Sequence, residues 1–250
     1  RNRTRVLGVA GGDGTVTAVA AVAAAYRTPL VVVPAGTLNR FARDVGLTSA
    51  DDSAHALVTG SAVHVDLATV QVDGGPQRWF INTASFGDYP NMVRLREKWQ
   101  QRWGKWPAAA AALITVLAHT EPLTVRIGGV NRKIWLLFVG NGAYHPRGFT
   151  PSWRPRLDSG VLDIRYVRAD LPFSRTRFAI AAVTGALLNS RTYVQEVHDR
   201  IRIDALGEPI ALACDGEAHA DGHVFNFAAH EEAIRVYRPP DPDAQQDANA

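Results

Sequence analysis

Three glycines surround an aspartate in Gly11-Gly12-Asp13-Gly14-Thr15, directly after the apolar run 6–10 and before an Ala/Val-rich stretch that reaches Tyr26. Glycines where a strand passes into a helix permit a tight turn and a close backbone approach to a ligand. The open amides and the positive end of the helix then favour an anion, above all phosphate. An ordinary βα turn would account for a lone glycine pair, but less well for three glycines, an aspartate and a threonine together. No Lys-Ser/Thr follows, so this is not a Walker loop, and backbone amides or an arginine from elsewhere must offset the phosphate charge. A second loop, Pro34-Ala35-Gly36-Thr37-Leu38-Asn39, ends the apolar run 30–33. Two such loops at the carboxyl ends of neighbouring parallel strands line one crevice, the place where open α/β sheets bind ligands. Thr37 and Asn39 could hydrogen-bond a nucleotide, cap the following helix, or both; Thr15 and Thr37 are the expected N-caps. Gly11, Gly12, Asp13, Gly14, Thr15, Thr37 and Asn39 together predict a mononucleotide site.

The second chemical feature is a pair of carboxylates. Asp215-Gly216-Glu217 closes the apolar run 210–214. With a glycine between them the two acids can point into one cleft, where a carboxylate can accept the proton of an attacking hydroxyl. Asp-Gly is also a common hairpin turn, and spacing alone slightly favours the turn. Asp158 and Asp163 bracket Ser159-Gly160; a magnesium ion takes a few such oxygens and completes its shell with water. Asp66 and Asp163 also read as simple strand-end charges.

These segments occur in an order that resembles the diacylglycerol kinase catalytic family, which includes bacterial lipid kinases and sphingosine kinases. The pairing of GGDGT with PAGTLNRFARDVGL carries the resemblance first. Asn82-Thr83-Ala84-Ser85-Phe86-Gly87 is similar to the family's N-x-x-S-x-G segment, and Val139-Gly140-Asn141-Gly142 to its V-G-N-G strand end. Leu157 to Asp163 is similar to D-D-G-x-L-D, and Asp215-Gly216-Glu217 to D-G-E. The closest flavour is the actinobacterial type often fused to an upstream membrane phosphatase domain. The resemblance implies an α/β nucleotide domain, a β-sandwich-like second domain, and ATP with Mg²⁺ in the cleft between them. It also implies about 50 further N-terminal residues, with one more strand, helix and nucleotide contact. It places the proton acceptor in Asp215-Gly216-Glu217, Glu217 being the marginal choice. It places the metal at Asp158 and Ser159, with Asp66 supporting it through water. Two departures stand out: Ser159 replaces the aspartate expected before the glycine, and Val16-Thr17-Ala18 replaces x-Asn-Glu after the first loop. Thr17 can substitute for an asparagine hydrogen bond; Ala18 cannot substitute for a carboxylate.

The elements that position these groups read as follows. Continuous apolar strands followed by helices over the first 60 residues predict two βα units and a parallel sheet covered on both faces. From residue 63 the pattern changes to short runs at 63–72, 79–83, 123–127, 134–139, 162–167, 201–203, 210–214, 224–227 and 234–237, the pattern of an antiparallel β-rich domain. Helices are expected over 91–118 and 174–188. The fold class is therefore α/β: a partial Rossmann-like three-layer nucleotide domain over 1–62, then a β-sandwich-like lipid-substrate domain over 63–238. The last strand could return to the first domain, and a polar tail over 239–250 is expected to be disordered.

Composition bounds the rest. The chain has 250 residues, 46% hydrophobic, which excludes a disordered or fibrous protein. The net charge of +3 is too mild to indicate a nucleic-acid partner. The single cysteine, Cys214, excludes a disulfide framework and a CxxC metal site. The longest apolar run, 107–118, is shorter than the roughly 20 residues of a membrane span. Trp99, Arg102, Trp103 and Trp106 fall at i, i+3, i+4 and i+7 within a basic stretch. That suits an interfacial membrane helix and equally a helix packed on the sandwich. Arg147, Phe149, Trp153, Arg154 and Arg156 form a second basic-aromatic stretch, suited to headgroups, to phosphates or to a solvated loop. The expectation is an ATP-dependent lipid kinase, peripheral on the inner face of the cell membrane, with diacylglycerol as the foremost acceptor. The alternatives are a soluble kinase akin to NAD kinase and a non-catalytic nucleotide- or lipid-binding module.

Overall fold

The first apolar runs become a parallel pair. β1 (Leu7–Gly11) and β2 (Leu30–Pro34) run in register from Leu7 opposite Leu30 to Gly11 opposite Pro34, joined by helix α1 (Asp13–Tyr26). The computed structural model describes residues 6–59, 61–87, 115, 120–148, 153–219 and 221–240. Leu30, Val31 and Val32 are all buried, as a doubly covered strand requires. In β1 only Val9 is buried, while Gly8 and Ala10 are exposed, so the expected cover on both faces holds for β2 and not for β1.

Helix starts differ from the expectation. The N-cap of α1 is Gly12 and that of α2 (Arg40–Asp44) is Asn39, not Thr15 and Thr37, and no side chain at either cap bonds the amides of the helix it opens. A further helix, α3 (Ala50–Thr59), went unread. It opens with a reciprocal cap: Ser49 Oγ accepts the Asp52 amide at 3.1 Å, and Asp52 Oδ2 accepts the amides of Ser49 and Thr48. Those donors, led by the Thr48 hydroxyl, lower the Asp52 carboxyl to about 2. Ser49→Ala is expected to cost about 1 kcal/mol and to lower the melting midpoint by about 2–4 °C. A thermal melt checks this; an unchanged midpoint would mean that the cap contributes nothing.

Beyond α3 the chain is β-rich. β3 (Ala62–Val72), β4 (Gln77–Phe80), β5 (Thr83–Phe86), β6 (Leu123–Ile127), β7 (Val130–Asn141) and β8 (Leu162–Arg168) lead to helix α4 (Ser174–Val183). β9 (Tyr193–His198), β10 (Arg200–Ala205), β11 (Leu212–Cys214), β12 (Glu217–Ala218) and β13 (Val224–Tyr237) follow. The expected run 79–83 is split into β4 and β5, because residues 81–83 turn their amides to Asp215. The expected helix 174–188 stops at Val183, with Gly185 at φ 73 beyond it, and only a short 3₁₀ turn, Leu187–Asn189, follows. β9 was not read from the sequence. The expected helix 91–118 lies outside the described residues, apart from a helical assignment at Thr115.

The expected strands 224–227 and 234–237 are one strand. β13 pairs antiparallel with β3 along nearly its whole length, with a register shift between His230 and Ile234, where Glu232 takes a φ of 49. Its first half pairs with β10, and Val236 pairs in parallel with Leu30 of β2. Thirteen strands thus form one hydrogen-bonded sheet among the described residues. Its two ends enclose different cores. One core unites Val16, Ala20, Phe41, Leu47 and Ala56 of the helical segment with Val65, Leu67, Ile234 and Val236. The other unites Val70, Phe80, Phe86, Leu137, Ile164, Ile203, Phe225 and Phe227, the interior of a β-sandwich. The architecture is α/β with a nucleotide-domain-like layer and a sandwich, as the sequence implied.

Candidate active site

The two glycine loops meet backbone to backbone. A Cβ on Gly36 would collide with the Cα of Gly12, and a Cβ on Gly12 would lie 3.4 Å from that of Gly36. The approach demands glycine at position 36; at position 12 a Cβ would sit at ordinary contact distance. Asp13 and Asn39 are used inside the loops. Asp13 accepts the amides of Arg40 at 3.2 Å and Phe41 at 3.0 Å, so its carboxylate holds the start of α2 against the start of α1. Asn39, at φ 47, accepts the Gly36 amide at 2.8 Å and donates to the Gly36 carbonyl at 2.7 Å. Their side chains shape the crevice; Thr15 and Thr37 are the exposed hydroxyls along it. The first amides of α1 have no partner within the helix and no side-chain cap takes them.

Asp215 and Gly216 form a tight hairpin between β11 and β12, with φ of 49 and 89. The turn reading therefore holds. The two acids have different surroundings. Asp215 Oδ1 accepts the amides of Asn82 at 2.8 Å and Thr83 at 2.9 Å, and Oδ2 accepts that of Ile81 at 2.9 Å. Oδ2 also lies 2.7 Å from the Thr17 hydroxyl, which itself stands 2.9 Å from the Asp13 carbonyl. Burial pushes the Asp215 carboxyl above its ordinary range, against these donors. Glu217 is exposed and has no hydrogen-bond or ion-pair partner among the described residues. A Cβ on Gly14 would lie 2.5 Å from its Oε1. The hairpin thus delivers one locked carboxylate and one available carboxylate to the start of α1.

A cavity of about 220 Å³ opens there, lined by Thr17 and Ala18 of α1, Arg78 of β4, and Asp215, Glu217 and His219 of the hairpin. Burial, and then Arg78, lower the pKa of His219, so it faces the cavity as neutral imidazole at pH 7. Burial raises the Cys214 thiol far above its ordinary value, which removes it as a nucleophile.

The loop of Asp158, Ser159 and Gly160, where a metal was expected, is organised by Asp66, which is buried. Its Oδ2 accepts the Gly160 amide at 2.6 Å and its Oδ1 the Glu232 amide at 2.8 Å, tying the loop to the irregularity in β13. Ser159 Oγ is buried without a partner, and Asp158 is half-exposed beside Arg156. No group of three or more His, Cys, Asp or Glu among the described residues could hold a metal ion by itself. Ser159 and Asp158 suit only an ion that completes its shell with phosphate oxygens and water.

The sequence reading missed the centre of the junction. Arg154, grouped there with a basic-aromatic stretch suited to headgroups, phosphates or a solvated loop, is buried and donates to Asp44 at 2.8 Å and to the carbonyls of Ile81 and Asn141 at 2.9 Å. Asn141 in turn donates to the carbonyls of Asp66 and Ile81. Asp163, which reads as a strand-end charge, is fully buried in a salt bridge with Arg165, two residues on along β8. Trp99, Arg102, Trp103 and Trp106 lie outside the described residues.

Gly14 gives a direct test of this geometry. Gly14→Ala adds a methyl that only the flexible end of Glu217 must avoid, while alanine favours the helix. The melting midpoint is expected to hold or rise and turnover to fall by roughly 10- to 100-fold through misplacement of the carboxylate. Unchanged turnover would show that Glu217 need not sit there.

Comparison with known proteins agrees with this layout. The family model described as the diacylglycerol kinase catalytic domain matches residues 1–70. A Stenotrophomonas maltophilia protein named "Probable lipid kinase YegS-like" is 30% identical over 252 residues, spanning 94% of this chain and 79% of that protein. A diacylglycerol kinase of Mycobacterium tuberculosis is 29% identical over 180 residues, 68% of this chain and 56% of that one. Among solved structures, a diacylglycerol kinase from Bacillus anthracis superposes with a TM-score of 0.66 at 24% identity, over 94% of this chain and 78% of that one. Yeast NADH kinase superposes with a TM-score of 0.52 at 12% identity, over 99% of this chain and 65% of that one. These two structural likenesses speak for the fold alone.

Proposed function

Because the chain belongs to the diacylglycerol kinase catalytic-domain family of lipid kinases, we propose that it transfers the γ-phosphoryl group of ATP to a membrane-lipid hydroxyl. Diacylglycerol is the foremost acceptor and phosphatidic acid the product. The observation that carries this reading is the unpartnered Glu217 carboxylate standing against Gly14 at the mouth of the glycine loops.

The open amides at the start of α1, with Thr15 and Thr37, hold the phosphates. Glu217 takes the proton as the acceptor oxygen bonds to the γ-phosphorus and the bond to the bridging oxygen breaks, releasing ADP. Asp215 is a positioning residue: it fixes the hairpin to residues 81–83 and to Thr17. A magnesium ion, held by Ser159 and Asp158, would offset phosphate charge. Asp66 shapes that loop through the Gly160 amide.

The test follows labelled ATP with Mg²⁺ and diacylglycerol in anionic vesicles. Labelled phosphatidic acid is expected. ATP binding without product from diacylglycerol or from a mixed lipid extract would overturn the kinase reading and favour a non-catalytic binding module, for which Ala18 and Ser159 speak.

A further inference from the structure

Helix α4 and the turn after it carry an unusual surface. Phe173 is 82% exposed, Ile180 59%, Val183 67% and Leu188 57%. Single exposed apolar residues are ordinary, but these are grouped. Phe173, Arg177, Ile180 and Thr184 fall at i, i+4, i+7 and i+11, with Val183 beside them. Ser174, Phe178 and Ala181 form the buried side of the same helix. The outward face is mixed: Ile180 and Val183 stand exposed beside Arg175, Thr176 and Arg177.

Two further observations point to what covers it. Phe173 holds φ 54, a left-handed backbone costly for a bulky residue, and it does so with its ring in solvent. The charge is also one-sided: residues 171–192 contain Arg175, Arg177 and Arg191 and no acid. Arg175 is engaged, over the Trp135 ring and to the Thr120 carbonyl. Arg177 and Arg191 have no side-chain partner among the described residues, and both line an open groove of about 500 Å³ floored by Ile180 and Ala181.

We infer that this face docks on an anionic lipid bilayer, with Phe173, Ile180 and Val183 entering the headgroup–acyl boundary and Arg177 and Arg191 meeting lipid phosphates. Exposed apolar side chains flanked by unpaired cations match such a surface in both polarity and charge. The inference deepens the lipid-kinase reading and rests on it for the nature of the partner.

The experiment is co-sedimentation of the protein with phosphatidylglycerol/phosphatidylcholine vesicles and with pure phosphatidylcholine vesicles. Wild type is compared with Arg177→Gln/Arg191→Gln and with Phe173→Ser/Ile180→Ser. Wild type is expected to bind the anionic vesicles and to be released by salt. Removing both charges should weaken binding by about thirtyfold, and the apolar pair by tenfold or more. Melting midpoints and turnover on a dispersed short-chain acceptor should stay at wild-type values. Wild-type protein that ignores anionic vesicles, or variants that bind as wild type does, would overturn the docking face. Binding lost in the variants of a protein that phosphorylates no lipid would leave the face standing and remove the kinase reading instead.

Discussion

Glu217→Gln is expected to lower turnover by about 10²- to 10⁴-fold, with ATP affinity and melting midpoint essentially unchanged. The side chain is exposed and unpartnered, so an isosteric amide disturbs no packing and breaks no hydrogen bond. It removes only the capacity to accept a proton. Asp215→Asn should behave differently. Its carboxylate receives three backbone amides, and an amide group can serve them on one side only. The loss of about 1–3 kcal/mol from an unsatisfied donor should appear as instability together with lower activity. Steady-state kinetics beside thermal melts separates the two. If Glu217→Gln keeps wild-type turnover while a folded Asp215→Asn is dead, the proton goes to Asp215 and the assignment is wrong.

Arg154→Ala is expected to be strongly destabilising. It would leave Asp44 buried without its cation and strip the carbonyls of Ile81 and Asn141 of their donor. Breaking a buried pair in this way costs about 3–5 kcal/mol, or roughly 6–20 °C in the melting midpoint of a chain this size. The pH dependence has a defined sign. Burial already holds the Asp44 carboxyl above its ordinary value of 3.8, with Arg154 opposing that rise. Without Arg154 the folded state favours the protonated acid more strongly still. The associated stability is fully present below 3.8 and is lost as pH rises through the raised value. The deficit of the variant should therefore shrink in acid. A deficit independent of pH, or a melt within two or so degrees of wild type, would refute this account of the junction.

How far the sequence reaches is clear from particular residues. The glycine loops and the Asp-Gly hairpin were legible because their conformations are dictated locally, by missing side chains and short turns. Many of the sandwich strands were legible for the same reason, from apolar runs punctuated by Gly, Pro, Asn and Asp. What was not legible depends on partners distant in the chain. Asp13 reads as a ligand for nucleotide, and its structural task of accepting the amides of residues 40 and 41 is invisible in the sequence. Arg154 reads equally as a headgroup, phosphate or solvated-loop arginine because Asp44 and Ile81, its partners, are separated from it by more than seventy residues in sequence. Asp215 and Glu217 were indistinguishable as types, and only the amides of residues 81–83 tell them apart. The two apolar runs within β13 looked like separate strands because the irregularity between them is polar, His230-Glu231-Glu232.

That strand also sets an order of events during synthesis. Leu30 finds its neighbour Val236 roughly two hundred residues later, so the sheet begun by β1 and β2 stays open on that side until almost all the described chain has been made. Contacts so far apart are slow to form. A nascent chain stalled before residue 224 should therefore leave Leu30 and Val32 accessible to chaperones, however complete its glycine loops. Nucleotide binding should arise late and all at once, when the final strand closes both cores together.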